Sequence, residues 1–254
     1  MNLQIQPIFE QREQWQALAE RENLFYEALE PSMPQMVNGN TLLEWCCGWL
    51  RRSGRTKSLH GAFIDINVAS GDPMARALSQ RRCRESCSEA VMSGAKNVVF
   101  HSSCFPYLRG AYLDNWAGLC ADFYQSLAEG YQMNIFVENS FDLDPQPIAA
   151  LMRRVTDPRV GVCLDFGHAH YSRAPIRDWF DALGDRIGYL HLSDNNGSFD
   201  EHLPLGRGTV DWEEASALWQ TLGRDVLMTL EVGGSDGVEE SLRYLKEHKL
   251  FGMG

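Results

Sequence analysis

Short apolar runs alternate with longer amphipathic stretches along this chain, and the two kinds of segment take turns to the end. The apolar runs predict strands at Leu3–Ile8, Leu24–Ala28, Ser58–Ile64, Asn97–His101, Asn134–Glu138, Val160–Asp165, Ile187–Ser193 and Val226–Val232. The stretches between them predict helices at Gln11–Glu20, Leu42–Arg52, Pro73–Ser93, Leu113–Glu129, Pro147–Val155, Ile176–Leu183, Trp212–Leu222 and Val238–His248. Pro73 and Pro147 suit a first helical turn, where a missing N–H costs nothing. Gly94, Gly130 and Gly184 follow helices and suit the left-handed residue that ends them. Strands alternating with helices predict a parallel sheet with crossover helices. Eight such units in 254 residues predict one α/β domain over residues 1–254, a (β/α)8 TIM barrel.

Such barrels build their sites at the carboxyl ends of the strands, so the residue ending each strand is informative. Strand 3 carries His60 and strand 4 ends in His101. Strand 5 ends in Glu138, strand 6 in Asp165, and strands 7 and 8 carry His191 and Glu231. Alternation places each of the last four on the axis side, with Ile135 and Val137, Val162 and Leu164, Leu190 and Leu192, and Leu230 and Val232 facing the helices. Carboxylates and imidazoles converging in a barrel mouth are costly unless something offsets their charge, and a divalent cation does so directly. Mixed His/Asp/Glu donors suit zinc, manganese and similar ions. His168 lies just past strand 6. Asp200 and His202 lie in the loop after strand 7, and two residues apart in an extended segment they point the same way. Five of the seven histidines fall in this set, leaving His170 unassigned and His248 at the surface. Asp194 reads as a loop cap, and Glu201 points away from its neighbours. Phe63 and Trp116 are possible pocket walls, with ordinary aromatic packing the simpler role for each.

Composition narrows the function classes. A formal charge of −11 argues against a nucleic-acid partner, because phosphate binding needs clustered cations. The two basic runs, Arg51-Arg52 to Lys57 and Arg81 to Arg84, fall in or beside predicted helices and read as solvated faces. No apolar run approaches the ~20 residues that cross a bilayer, and the N-terminus has no secretory pattern. Seven cysteines without a zinc-type pair read as reduced thiols, which suits a cytoplasmic protein.

The segments SLHGAFIDINVASGDP, VVFH, FVEN, CLDFGHAH, HLSDNNGSFDEHLPLGRGTVDW and TLEV resemble, in order and spacing, the xylose isomerase-like TIM barrels. That superfamily includes sugar-phosphate isomerases and epimerases, and endonuclease IV. The resemblance spans Ser58 to Val232 and is specific as a joint set, less so for one reaction. It implies a core of Glu138, Asp165, His191 and Glu231 that holds one ion, often manganese, in the sugar epimerases. In the endonuclease pattern three zinc ions are held. His60 and His101 would match the first, Glu138 would bridge two of them, Asp165, His191 and Glu231 would serve the second, and His168, Asp200 and His202 the third. D-F-G-H and DEHLPLGRGTVDW are more similar to the sugar-type members, although Arg207 stands where their pattern has glutamate.

For the sugar type the resemblance implies Lewis-acid stabilisation of an enediolate, proton transfer by Glu138 and Glu231, and a substrate oxygen oriented by His168. It also implies a small sugar-like or sugar-phosphate-like substrate and a homo-oligomer. The other readings are a phosphodiesterase acting on abasic DNA, which needs a basic rim, and a binding barrel without chemistry. The last would not need two apposed carboxylates.

Overall fold

A computed structural model describes residues 3–37 and 40–253. Strands β1 (Leu3–Ile5), β2 (Phe25–Ala28), β3 (Thr56–His60), β4 (Asn97–His101), β5 (Asn134–Glu138), β6 (Val160–Asp165), β7 (Ile187–Leu192) and β8 (Leu227–Leu230) pair in sequence order. All pairings are parallel and β1 also pairs with β8, so the sheet closes into a barrel. Helices follow the strands, as expected for a (β/α)8 barrel. Among the described residues no helix is long and apolar enough to cross a membrane.

The predicted strands are present, but their ends differ for local reasons. Pro7 has no N–H for a ladder, and β1 stops at Ile5 rather than Ile8. β3 starts earlier than expected and stops at His60. Beyond it, Gly61 lies so close to the Phe100 ring that a Cβ would meet it at 2.1 Å, and Asp65 turns the chain with a φ of 56°. Gly94 ends its helix in the left-handed region with φ 84°, as expected. Gly130 instead lies inside the helix Gly110–Tyr131, and Gln132 takes the left-handed position. Gly184 has right-handed geometry and continues into a 3-10 turn. Pro147 sits within the first turn of the helix Gln146–Met152.

Two apolar layers form from the strand alternation. Ile135, Val137, Val162, Leu164, Leu190, Leu192 and Leu230 join the large core between sheet and helices. Val99, Phe136, Cys163 and Tyr189 form a separate cluster inside the barrel. Phe136 fits there because Gly161 on β6 and Gly188 on β7 have no side chains. A Cβ on Gly188 would lie 2.7 Å from the Phe136 ring. This largely apolar plug sits below the polar residues at the strand ends.

Gly188→Ala should therefore force the Phe136 ring out of place and cost about 1–3 kcal/mol. A thermal melt should show the loss, and an unchanged melt would mean that Phe136 is not confined by this glycine.

A second prediction concerns Glu89 on the helix Pro73–Ser93. It is buried, accepts a hydrogen bond from Ser32 Oγ at 3.0 Å, and burial pushes its carboxyl up to about 7. A raised pKa means the folded state binds the proton more tightly than the unfolded chain. The resulting stability is complete below about pH 4.5 and is lost as pH rises through about 7. Glu89→Gln should remove this dependence, worth up to about 3 kcal/mol. Melts of both proteins at pH 5 and pH 8 check it; equal pH slopes would refute it.

Candidate metal centre

The strand register brings the polar ends together. His101 on β4 pairs opposite Glu138 on β5, and Asp165 on β6 opposite His191 on β7. His60 ends β3, and Glu231 follows β8, its N–H donating to the Leu192 carbonyl at 3.0 Å. Asp165 also caps the helix Phe166–Tyr171, where its Oδ1 accepts the His168 N–H at 2.5 Å. One carboxylate thus starts the helix that carries His168 and leaves its other oxygen for the cup. Glu138, Asp165 and His191 are fully buried and Glu231 is 9% exposed.

Glu138 is the hub. Its Oε2 lies 3.3 Å from His60 Nε2 and 3.7 Å from His101 Nε2, and its Oε1 lies 3.2 Å from His191 Nδ1. Donor atoms of Glu138, Asp165, His191 and Glu231 all lie within 4.8 Å of one another. Those of His60, His101 and Glu138 do so as well. Asp200 Oδ2 reaches His202 Nε2 at 2.9 Å and His168 Nε2 at 3.3 Å. This third set is joined only through Asp200 and is not among the groups that close so tightly. Asp200 and His202 meet as expected, but by a different route. His202 has a φ of 48°, so a left-handed turn brings them together, not extended alternation.

Ring orientation follows from the hydrogen bonds. A carbonyl can only accept, so the nitrogen facing one must carry a proton. His60 Nδ1 donates to the Gly61 carbonyl at 3.0 Å, His168 Nδ1 to that of Asn139 at 2.6 Å, and His202 Nδ1 to that of Glu231 at 2.8 Å. Each therefore turns Nε2 toward a carboxylate. His191 is reversed: Nε2 faces Glu27 Oε2 at 3.0 Å, and Nδ1 faces Glu231 Oε2 at 2.7 Å.

Charge is strongly coupled here. Burial opposes the ionisation of Glu138, but the imidazoles of His191, His101 and His168 outweigh it and hold its pKa well below the ordinary value. Burial pushes Asp165 up to about 7, and pushes His101 down to about 4. Against burial, the carboxylates raise His168 and His191 well above the ordinary imidazole range. His202 rises to about 10 through its bond to Asp200, again against burial.

The donor set fits a cation on a further ground. Glu138 Oε2, Asp165 Oδ2 and Glu231 Oε2 are buried with no hydrogen bond. The close approach of His191 Nδ1 to Glu231 Oε2 is not directed as one. Three unbonded carboxylate oxygens beside an imidazole nitrogen cost several kcal/mol unless a positive ion is shared among them. Such a set could hold a zinc or manganese ion.

Above it opens a cavity of about 270 Å³. His60, His101, His168, Asp200, His202 and Glu231 border it, with Gln6, and Leu29, Phe63 and Val232 form an apolar wall. Phe63 is thus a pocket residue, whereas Trp116 packs in the core. Val232, expected to face the helices, touches the core and the cavity. Arg207 is exposed and pairs with Glu240, away from the cavity. Arg81 and Arg82 pair with Glu85, Arg51 and Arg55 donate to backbone carbonyls, and Lys57 lies over Phe25. Asp194 organises its loop by accepting the Gly206 and Val210 N–H groups and Trp212 Nε1, and Glu201 accepts the Asn196 N–H. His170 contacts Thr209 Oγ1 at 2.9 Å, and His248 lies against Tyr244. The seven cysteines are free and buried.

Sequence reasoning missed three residues. Glu27, on β2, lies fully buried beneath the cup, and Gln6 follows β1 at its rim. With them, all eight strands place a polar residue at this end of the barrel. Asn139 bridges β5 and β6, accepting the Asp165 N–H at 2.8 Å and donating to the Asp165 carbonyl at 3.0 Å. The one signal for Glu27 is its alternation with Tyr26 and Ala28, which pack in the core on the other face of a short strand.

The chain has relatives among known proteins. A probable endonuclease 4 of Mycobacterium leprae is 26% identical over 208 residues, which is 71% of this chain and 75% of that protein. Two solved structures share the fold along nearly the full length of both chains. One is a Thermus thermophilus protein soaked with zinc chloride (TM-score 0.77, 24% identity, 100% of this chain and 99% of that one). The other is a D-tagatose 3-epimerase-like protein (TM-score 0.74, 22% identity, 98% and 97%). The Xylose isomerase-like TIM barrel family matches residues 48–248, and this chain belongs to that family.

Proposed function

We propose that the protein is a divalent-metal-dependent isomerase or epimerase of a small, sugar-like hydroxy-carbonyl compound. The observation that carries this reading is the buried set of Glu138, Asp165, His191 and Glu231, with three carboxylate oxygens left without hydrogen bonds at the base of a cavity. A bound zinc or manganese ion supplies a Lewis acid that acidifies the C–H next to a carbonyl.

The chain's own groups do the rest. Glu231 borders the cavity, and its ionised carboxylate takes the proton from the substrate carbon through Oε1, which accepts a hydrogen bond from the Gln6 amide and keeps a second lone pair. Glu138 is the second proton carrier, buried beneath the cavity between the imidazoles of His60, His101 and His168, which border it. His168 Nε2 points at Asp200 in the cavity lining and orients a substrate oxygen there. Phe63, Leu29 and Val232 give an apolar wall for the C–H face of a sugar and exclude water from it. Among the described residues no lysine or arginine borders the cavity, which favours a neutral substrate over a phosphorylated one.

The second reading is a phosphodiesterase acting at abasic DNA sites. It draws on the endonuclease 4 relative and on the gathering of all nine candidate donors around one mouth. The open geometry of His168, Asp200 and His202 and the absence of cations from the described lining weigh against it.

Two measurements test the proposal. Metal analysis should find about one tightly bound ion per chain. Chelation should lower the melting temperature, and zinc or manganese at about 100 times Kd should restore about 3 kcal/mol, or several degrees. In D2O, a panel of free ketoses should include one whose C–H next to the carbonyl exchanges, and Glu231→Gln should slow that exchange about 10²- to 10⁴-fold. Three bound ions with rapid cleavage of an abasic-site duplex would replace this reading with the second.

A further inference from the structure

We propose that Glu27 is the positioning residue of the metal centre: it fixes His191 so that Nδ1 is the ligand atom, and through Gln6 it aims Glu231. The inference rests on the metal reading above and goes beyond it, because Glu27 is no member of the four-donor set.

The geometry is specific. Glu27 is fully buried. Its Oε2 receives His191 Nε2 at 3.0 Å, Thr229 Oγ1 at 2.7 Å and the Tyr189 hydroxyl. Its Oε1 receives the Gln6 amide at 3.2 Å, and the same nitrogen donates to Glu231 Oε1 at 3.1 Å. An amide nitrogen has two hydrogens, so Gln6 can serve both carboxylates at once. Glu231 is thereby held by Oε1, and its unbonded Oε2 is the oxygen turned toward His191 Nδ1.

Glu27 could be read as a ligand itself, since it lies with His60 and His191 in a group closed within 4.8 Å. Its hydrogen bonds decide otherwise. Both oxygens already accept donors, whereas the three carboxylates above each keep one oxygen unbonded. A carboxylate that accepts the far N–H of a liganding imidazole sets its tautomer and raises its basicity. His191 needs this more than His60, His168 and His202. They anchor Nδ1 on backbone carbonyls, while His191 presents Nδ1 and must anchor Nε2 on a side chain.

Glu27→Gln is nearly isosteric but puts an amide NH2 against existing donors on one side or the other. Zinc affinity, measured by competition with a chromogenic chelator, should fall about 10- to 100-fold. Tyr189→Phe removes a donor from the same buried network and leaves the Glu27–His191 bond. It should keep affinity within about threefold, which a general loosening of the network would not. Glu27→Asp keeps the charge but withdraws the carboxylate. It should weaken zinc in the same sense, and it serves if Glu27→Gln does not fold. In zinc-loaded protein labelled with 15N-histidine, His191 should carry its proton on Nε2. Wild-type affinity in both Glu27 variants, or a proton on His191 Nδ1 in the zinc-loaded protein, would overturn the assignment of Glu27 alone. Wild-type protein that takes up no zinc would bring down the metal reading, and this inference with it.

Discussion

Four carboxylates, those of Glu27, Glu138, Asp165 and Glu231, are held within one barrel mouth with little or no access to water. Each loses several kcal/mol of hydration on burial, and each repels the others. The imidazoles return part of that cost: His191 alone touches Glu27, Glu138 and Glu231. After these contacts Glu138 Oε2, Asp165 Oδ2 and Glu231 Oε2 still have no hydrogen bond. What is left over is negative and concentrated, a set of donors that could hold a cation.

The barrel makes this tolerable because its interior is filled by side chains below the mouth. Phe136 occupies the axis beside Gly161 and Gly188, and Tyr189 stands between that plug and the Glu27 network. The interior below the mouth is therefore packed, and the polar groups above it are bonded to one another. A rigid strand end places a donor more closely than a loop does. Glu138, Asp165 and His191 lie on strands, and Glu231 one residue beyond β8. Asp200 and His202 depend on a loop and on a left-handed backbone turn.

The sequence disclosed much of this, and its omissions have physical causes. Glu138, Asp165, His191 and Glu231 each break an aliphatic strand at its last inward position, so alternation exposes them. Glu27 breaks β2 in the same way, but β2 is only Phe25–Ala28 and lacks the aliphatic run that sets a strand's phase. Gln6 follows a strand cut short by Pro7, so no ladder periodicity reaches it. Asn139 acts through its side-chain bonds to the backbone of the next strand, a partnership no spacing along one chain encodes. The helix ends expected at Gly130 and Gly184 differ for another reason. A glycine permits the left-handed turn without requiring it, and Gln132 supplies it in one case.

The division between strand and loop donors also bears on which chemistry the site performs. The deep four-residue set is common to the readings of the site as a sugar enzyme and as a phosphodiesterase, so it cannot choose between them. The choice falls to the rim, where Asp200 and His202 on the loop after β7 meet His168. With Asp200 ion-paired to both imidazoles, the rim needs no cation to offset its carboxylate, unlike the floor with its three unbonded oxygens. The unbonded negative charge is therefore concentrated at the strand ends, and the loop residue Asp200 has its partners within the rim. That asymmetry favours one ion beneath a polar, uncharged ligand over a cluster of ions spread to the rim.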